Sequence, residues 1–137
     1  MKLTETERNT LVKYRLERAN DTLLDVELAI QNMRWHNAAN RLYYACYYAA
    51  VALLLKDGHI AHTHNGVKSL LGLHYINEGK IDESLMKAYR RMFNLRQTGD
   101  YDDLAEITED EILDLVEPAK RFILTVENLM HNNNMNQ

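Results

Sequence analysis

Val12, Leu16, Ala19, Leu23, Val26, Ile30 and Met33 recur along the chain at intervals of 4, 3, 4, 3, 4 and 3. That alternation keeps apolar side chains on one stripe, so the pattern predicts a helix over about Thr6 to Met33 that packs along its neighbours at a shallow angle. Glu5 and Glu7 place negative charge where a helix N-terminus favours it. A second helix is predicted over about Trp35 to Lys56, apolar on nearly every side from Leu42 onward. A helix of that kind belongs in the centre of a bundle or in an interface between copies. One of its stripes carries Trp35, Ala38, Ala39, Leu42, Cys46, Ala49 and Leu53; another carries Asn37, Arg41, Tyr44 and Tyr48. Tyrosine hydroxyls need partners when buried, so the second stripe fits a core bonded to neighbouring helices. "KDG", ending at Gly58, fits a C-cap.

A loop and a short helix follow, about Asn65 to Asn77, with Val67, Leu70, Leu71 and His74 inward. The fourth helix starts after Asp82 as N-cap and reads Leu85, Tyr89, Met92, Arg96 at intervals of 4, 3 and 4. Gly99 stands where a left-handed cap would end it. The fifth opens on Thr108 and Glu111 at capping-box spacing and runs through Leu129 and Met130, with a kink or break expected at Pro118. The expected architecture is all-α, an up-and-down four-helix bundle with one additional short helix. It forms a single domain over residues 1–131, followed by a tail over 132–137 expected to fray for want of anything to pack.

Composition narrows the function classes. With 5 Gly and 1 Pro in 137 residues, the composition argues against a many-stranded sheet and for long helices. The single cysteine, Cys46, cannot build a disulfide framework, and no basic-then-apolar leader opens the chain, so a cytoplasmic location is expected. The longest apolar run, Leu42 to Leu55, is too short to span a bilayer, so no membrane partner is expected. Net charge is −4, and nine acids with no base lie between Asp100 and Glu117. Such a field repels polyanions, so any nucleic-acid contact requires a local basic patch. Lys87, Arg90, Arg91 and Arg96 form the one C-terminal cluster that could serve, though as a pattern it reads first as a solvated helix face. His59, His62 and His64 lack the regular spacing and cysteine company of a zinc site, so no metal or cofactor is expected.

Arg96 is the position that changes the picture, because it continues the apolar stripe of the fourth helix. It is either a last-turn arginine that offsets the helix dipole and pairs with Asp100, or a half-buried fork of donors suited to phosphate. Spacing alone leaves both open.

Three stretches resemble a known family. "YRLERANDTLLDVELAIQNMRWHNAANRLYYACYYAAVALLL", "HTHNGV" and "RQTGDY" are similar, in that order, to the first two helices, the entry to the short third helix and the end of the fourth helix of HEPN domains. The match is to the small prokaryotic subgroup with an Arg-x-x-x-Asp-Tyr motif. The resemblance implies a helical bundle that dimerises, often partnered with a minimal nucleotidyltransferase in a toxin–antitoxin pair. In the wider family two copies of an Arg-x(4–6)-His motif form a cleft that cuts RNA without a metal. Arginine would hold phosphate while histidine handles protons. Here Arg96 matches the arginine, but Tyr101 stands where the histidine would, and no histidine occurs from Gln97 to Glu117. His64 replaces it only if its helix end approaches Arg96. The resemblance therefore implies a regulatory protein that binds nucleotide or RNA phosphate. Arg96, Asp100 and Tyr101 are its candidate site, His64 a candidate proton carrier, and Arg41 and Tyr44 further phosphate-binding candidates. An active metal-independent endoribonuclease toxin and a helical protein-interaction module without nucleotide chemistry are the alternatives.

Overall fold

A computed structural model describes residues 2–101, 104 and 106–135, with the side chains of Asp100, Tyr101 and residues 132–135 outside the description. Its elements are α1 (Glu5–Gln31), α2 (Trp35–Lys56), α3 (His64–Leu71) continued by one π-helical turn (Gly72–Ile76), α4 (Glu83–Tyr101) and α5 (Glu109–Met135). No described residue forms a strand. None of the described helices is long and apolar enough to cross a membrane.

The first helix starts on a capping box, with the Glu7 amide donating to Thr4 Oγ1 (3.1 Å) and the Thr4 amide donating to Glu7 Oε1 (3.0 Å). Its expected stripe is inward as far as Ile30. Met33 is not part of it: the helix stops at Gln31, and Met33 lies in the turn with φ 55° and 73% of its surface exposed. The turn reverses the chain, so α2 returns along α1 in the largest contact of the fold.

As its composition required, α2 is the central helix, touching α1, α3, α4 and α5. Ala38, Ala39, Ala45, Ala49, Ala50 and Ala52 are buried on it, and such small side chains let neighbouring backbones approach closely. The all-round apolarity of Leu42–Leu55 is thus largely consumed inside the chain, which removes the main sequence support for a bare interaction module. Gly58 follows α2 with φ 81°, the left-handed geometry expected of its cap.

One expectation fails in α4, and of the kink or break expected in α5 the break is absent. Gly99 does not end α4 in a left-handed conformation, since the helix continues to Tyr101. The glycine serves a close approach instead: a Cβ there would lie 3.0 Å from Ile107 Cδ1 and 3.2 Å from His36 Nδ1. Arg96 consequently sits more than one turn before the helix end, not in the last turn. Pro118 does not break α5, which is helical on both sides of it. Proline forfeits one backbone hydrogen bond, but Leu115, Ala119 and Phe122 bury the flanking turns against the core. Thr108 and Glu111 form the expected capping box, with mutual bonds of 3.1 and 3.2 Å.

Candidate functional site: an arginine in a tyrosine cradle

The α4 stripe is buried as its spacing required, with Leu85, Tyr89, Met92 and Arg96 all inward and only 9% of the Arg96 surface exposed. A guanidinium leaves water at a large cost unless its surroundings compensate, and here aromatic rings do. Its Cζ lies 5.1 Å from the Tyr43 ring centroid, 5.6 Å from that of Tyr44 and 5.9 Å from that of Phe93. Helix α2 supplies the two tyrosines, and Phe93 stands one turn earlier on α4.

Tyr43 links this cradle to α3. Its hydroxyl lies 2.7 Å from His64 Nδ1, at the first residue of α3. The helix begins there because the Thr63 hydroxyl caps it, accepting from the Gly66 amide at 2.9 Å. The His64 ring stacks on Tyr47 with centroids 4.5 Å apart. Burial, and then the nearby positive charge of Arg96, hold the His64 pKa below its ordinary value. Both effects favour the neutral imidazole over the charged one. Burial pushes the Tyr43 hydroxyl up to about 12, with Arg96 working in the opposite sense. Tyr43 thus keeps its proton and serves as a fixed hydrogen-bonding partner that orients the imidazole.

On the other flank, Tyr44 lies between two guanidiniums, with Arg41 Cζ 5.5 Å from its ring and Arg96 Cζ 5.6 Å away. Arg41 is held in place by Asn40 Oδ1, which accepts from its Nε (3.0 Å) and one Nη (2.7 Å). The two arginines thus share one aromatic platform.

The structure therefore brings Arg96, His64, Arg41 and Tyr44 into one neighbourhood. The side chains of Asp100 and Tyr101, the other two candidates, lie outside the described residues. Arg96 does not belong to the Lys87, Arg90, Arg91 face: those three are exposed, and Arg90 pairs with Glu83 at 3.1 Å. His59 is engaged elsewhere, stacked on His74 with centroids 3.9 Å apart, and His62 is exposed. Among the described residues no three metal-ligating side chains gather. Tyr43 is the residue that sequence reading missed. Its signal was the stripe Ala39, Tyr43, Cys46, Ala50, at intervals of 4, 3 and 4, all four buried.

A family model described as the HEPN domain matches residues 12–129. The chain belongs to the HEPN family. The chain is 37% identical over 124 residues to a "UPF0332 protein" of Thermotoga maritima, a match covering 90% of this chain and 94% of that one. It is 32% identical over 108 residues to a Methanocaldococcus jannaschii protein that bears the provisional name of a toxin, covering 79% and 80% of the two chains. A second M. jannaschii protein with the same kind of name is 27% identical over 123 residues, with 90% and 84% covered. The fold matches the crystal structure of a Thermus thermophilus protein with a TM-score of 0.73 at 19% identity, over 85% of this chain and 96% of that one. That likeness bears on the helical architecture alone. Within this HEPN domain, the Arg-x-x-x-Asp-Tyr stretch falls at the end of α4 and the His-x-Gly-Val stretch at the start of α3. The tie between them, described above, runs through Tyr43.

Proposed function

We propose that this HEPN protein binds the phosphate of RNA or a nucleotide at Arg96, as a homodimer partnered with a minimal nucleotidyltransferase in a toxin–antitoxin-like module. The observation that carries the reading is the seat of Arg96. A solvated surface arginine gains little from three aromatic rings, whereas an arginine held by them presents its donors in a fixed direction toward an anion. The names borne by the two M. jannaschii relatives support the toxin side of the pair.

The test is binding of a labelled oligoribonucleotide by wild type and Arg96→Gln, with helix content followed by circular dichroism. Loss of binding at unchanged helicity supports the reading; equal binding overturns it. Gel filtration of the same samples, alone and with a purified minimal nucleotidyltransferase, tests the dimer and the partner.

A second reading, metal-independent RNA cleavage, is favoured by one specific observation: an imidazole fixed by Tyr43 within the electrostatic reach of Arg96. In that chemistry the ribose 2′-oxygen attacks the adjacent phosphorus as His64 takes its proton. The P–O5′ bond breaks as the 2′,3′-cyclic phosphate forms, the 5′-oxygen takes a proton from solvent, and Arg96 offsets the charge that develops on the phosphate oxygens. Cleavage in chelator that is lost in both His64→Ala and Arg96→Gln supports this reading, and cleavage unchanged in His64→Ala excludes it.

A further inference from the structure

The aromatic and cationic character of the Arg96 site does not stop at its rim. The Tyr44 and Tyr48 rings stand one helical turn apart with centroids 5.9 Å apart, and Tyr47 and Tyr48 are 6.1 Å apart. Helix α1 faces them with arginines. Arg18 Cζ lies 4.7 Å over the Tyr48 ring, one Nη donates to the Tyr48 hydroxyl at 2.8 Å, and the other reaches the Tyr14 hydroxyl at 3.5 Å. Arg15 and Tyr47 line the same cavity of about 250 Å³; burial raises the Tyr47 hydroxyl pKa and the Arg15 charge opposes that rise. At the far end Tyr14 leaves 53% of its surface exposed.

We propose that this strip, formed by Tyr14, Arg15 and Arg18 of α1 with Tyr47 and Tyr48 of α2, holds single-stranded RNA running on from the phosphate at Arg96. The proposal rests on Arg96 being a phosphate anchor and names the partner's form. An exposed Tyr14 ring beside the half-buried Tyr47 and Tyr48, with guanidiniums interleaved, suits an unpaired strand, whose bases meet the open Tyr14 ring and the free edges of the others while its phosphates meet the cations. A duplex offers only its phosphates, because its bases are already stacked on one another. The overall charge of −4 sharpens the argument, since a polyanion must find a local cationic strip on such a chain. The strip is continuous with the candidate site through the Tyr47–His64 stack and the Tyr44–Tyr48 pair.

The experiment compares three probes against the full chain: a 2′-O-methyl 12-nucleotide single strand, which resists cleavage, its duplex, and a dinucleotide. Calorimetry is run on wild type, Arg18→Gln, Tyr14→Ala and Arg96→Gln. The single strand should bind wild type more tightly than either other probe. Arg18→Gln and Tyr14→Ala should each weaken the single strand by roughly 5- to 10-fold and leave the dinucleotide unchanged. Arg18→Gln should also flatten the salt dependence of single-strand binding by about 0.7 in log–log slope. Arg96→Gln should weaken single strand and dinucleotide together. Equal affinity of wild type for single strand and duplex, or strip variants that bind the single strand like wild type, overturns the strip whatever Arg96 does. Strip variants that lose the single strand while Arg96→Gln loses nothing support the strip and overturn the anchor. Variants whose only change is dissociation of a dimer on gel filtration would assign the strip to a second copy of the chain and overturn the proposal.

Discussion

The Tyr43 hydroxyl and His64 Nδ1 lie 2.7 Å apart and join the central helix to the first residue of α3. Removing that hydroxyl with Tyr43→Phe keeps the buried ring and its contacts but deletes the bond. Stability should fall by about 1 kcal/mol in chemical denaturation, with the midpoint shifted and the m-value unchanged. RNA binding through Arg96 should persist, because the ring that seats the guanidinium remains. A variant as stable as wild type would show that the bond contributes nothing net.

The proximity of His64 to Arg96 makes a titration prediction. Burial and the Arg96 charge lower the His64 pKa, so the unfolded chain binds its proton at a higher pH than the folded chain does. The resulting penalty is absent above the unfolded value of about 6.5 and grows as pH falls from there through the folded pKa. Arg96→Gln should raise the His64 pKa toward its ordinary value, measured from its imidazole proton shifts by NMR. An unmoved titration would show that the two groups do not sense each other.

The aromatic cradle also distinguishes arginine from lysine. Arg96→Lys retains the charge but loses the planar fork that lies against Tyr43 and Tyr44. Binding of an oligoribonucleotide should weaken by about 10-fold, between wild type and Arg96→Gln. Full binding by the lysine variant would mean that charge alone is recognised.

Two helical glycines should answer the same substitution differently. Gly72 has φ −60° and open space where a Cβ would go, so Gly72→Ala should stabilise the fold by about 0.5–1 kcal/mol. At Gly99 the added carbon would press on Ile107 and His36, and the clash should cancel that gain. A melting temperature raised in Gly72→Ala and not raised in Gly99→Ala checks this, and a rise in both would show that the Gly99 neighbours yield freely.

The helices were legible because burial follows period: the α4 stripe from Leu85 to Arg96 and the crowded α2 both fall where their spacing puts them. Local rules failed where tertiary packing overrode them. Gly99 signals a cap by residue type, yet it packs against His36 at the start of α2 and Ile107 just before α5, contacts that no pattern within α4 encodes. Pro118 signals a break, yet the turns on either side are buried. Within the site, the register of Arg96 was readable and its seat was not. The choice of Tyr43 over Tyr44 as the histidine's partner depends on the rotation of α2 against α3, which no spacing within α2 encodes. The approach of His64 likewise depends on where α3 docks, 32 residues before Arg96 in the sequence.

The most direct measurement of the central claim is the affinity of a labelled single-stranded oligoribonucleotide for Arg96→Ala beside Arg90→Ala at one fixed salt concentration. Both remove one positive charge from α4, but Arg90 is exposed while Arg96 is buried against aromatic rings. An anchor at Arg96 requires a loss of at least about 10-fold in Arg96→Ala and little change in Arg90→Ala. Equal losses in the two variants, or none in either, would contradict it.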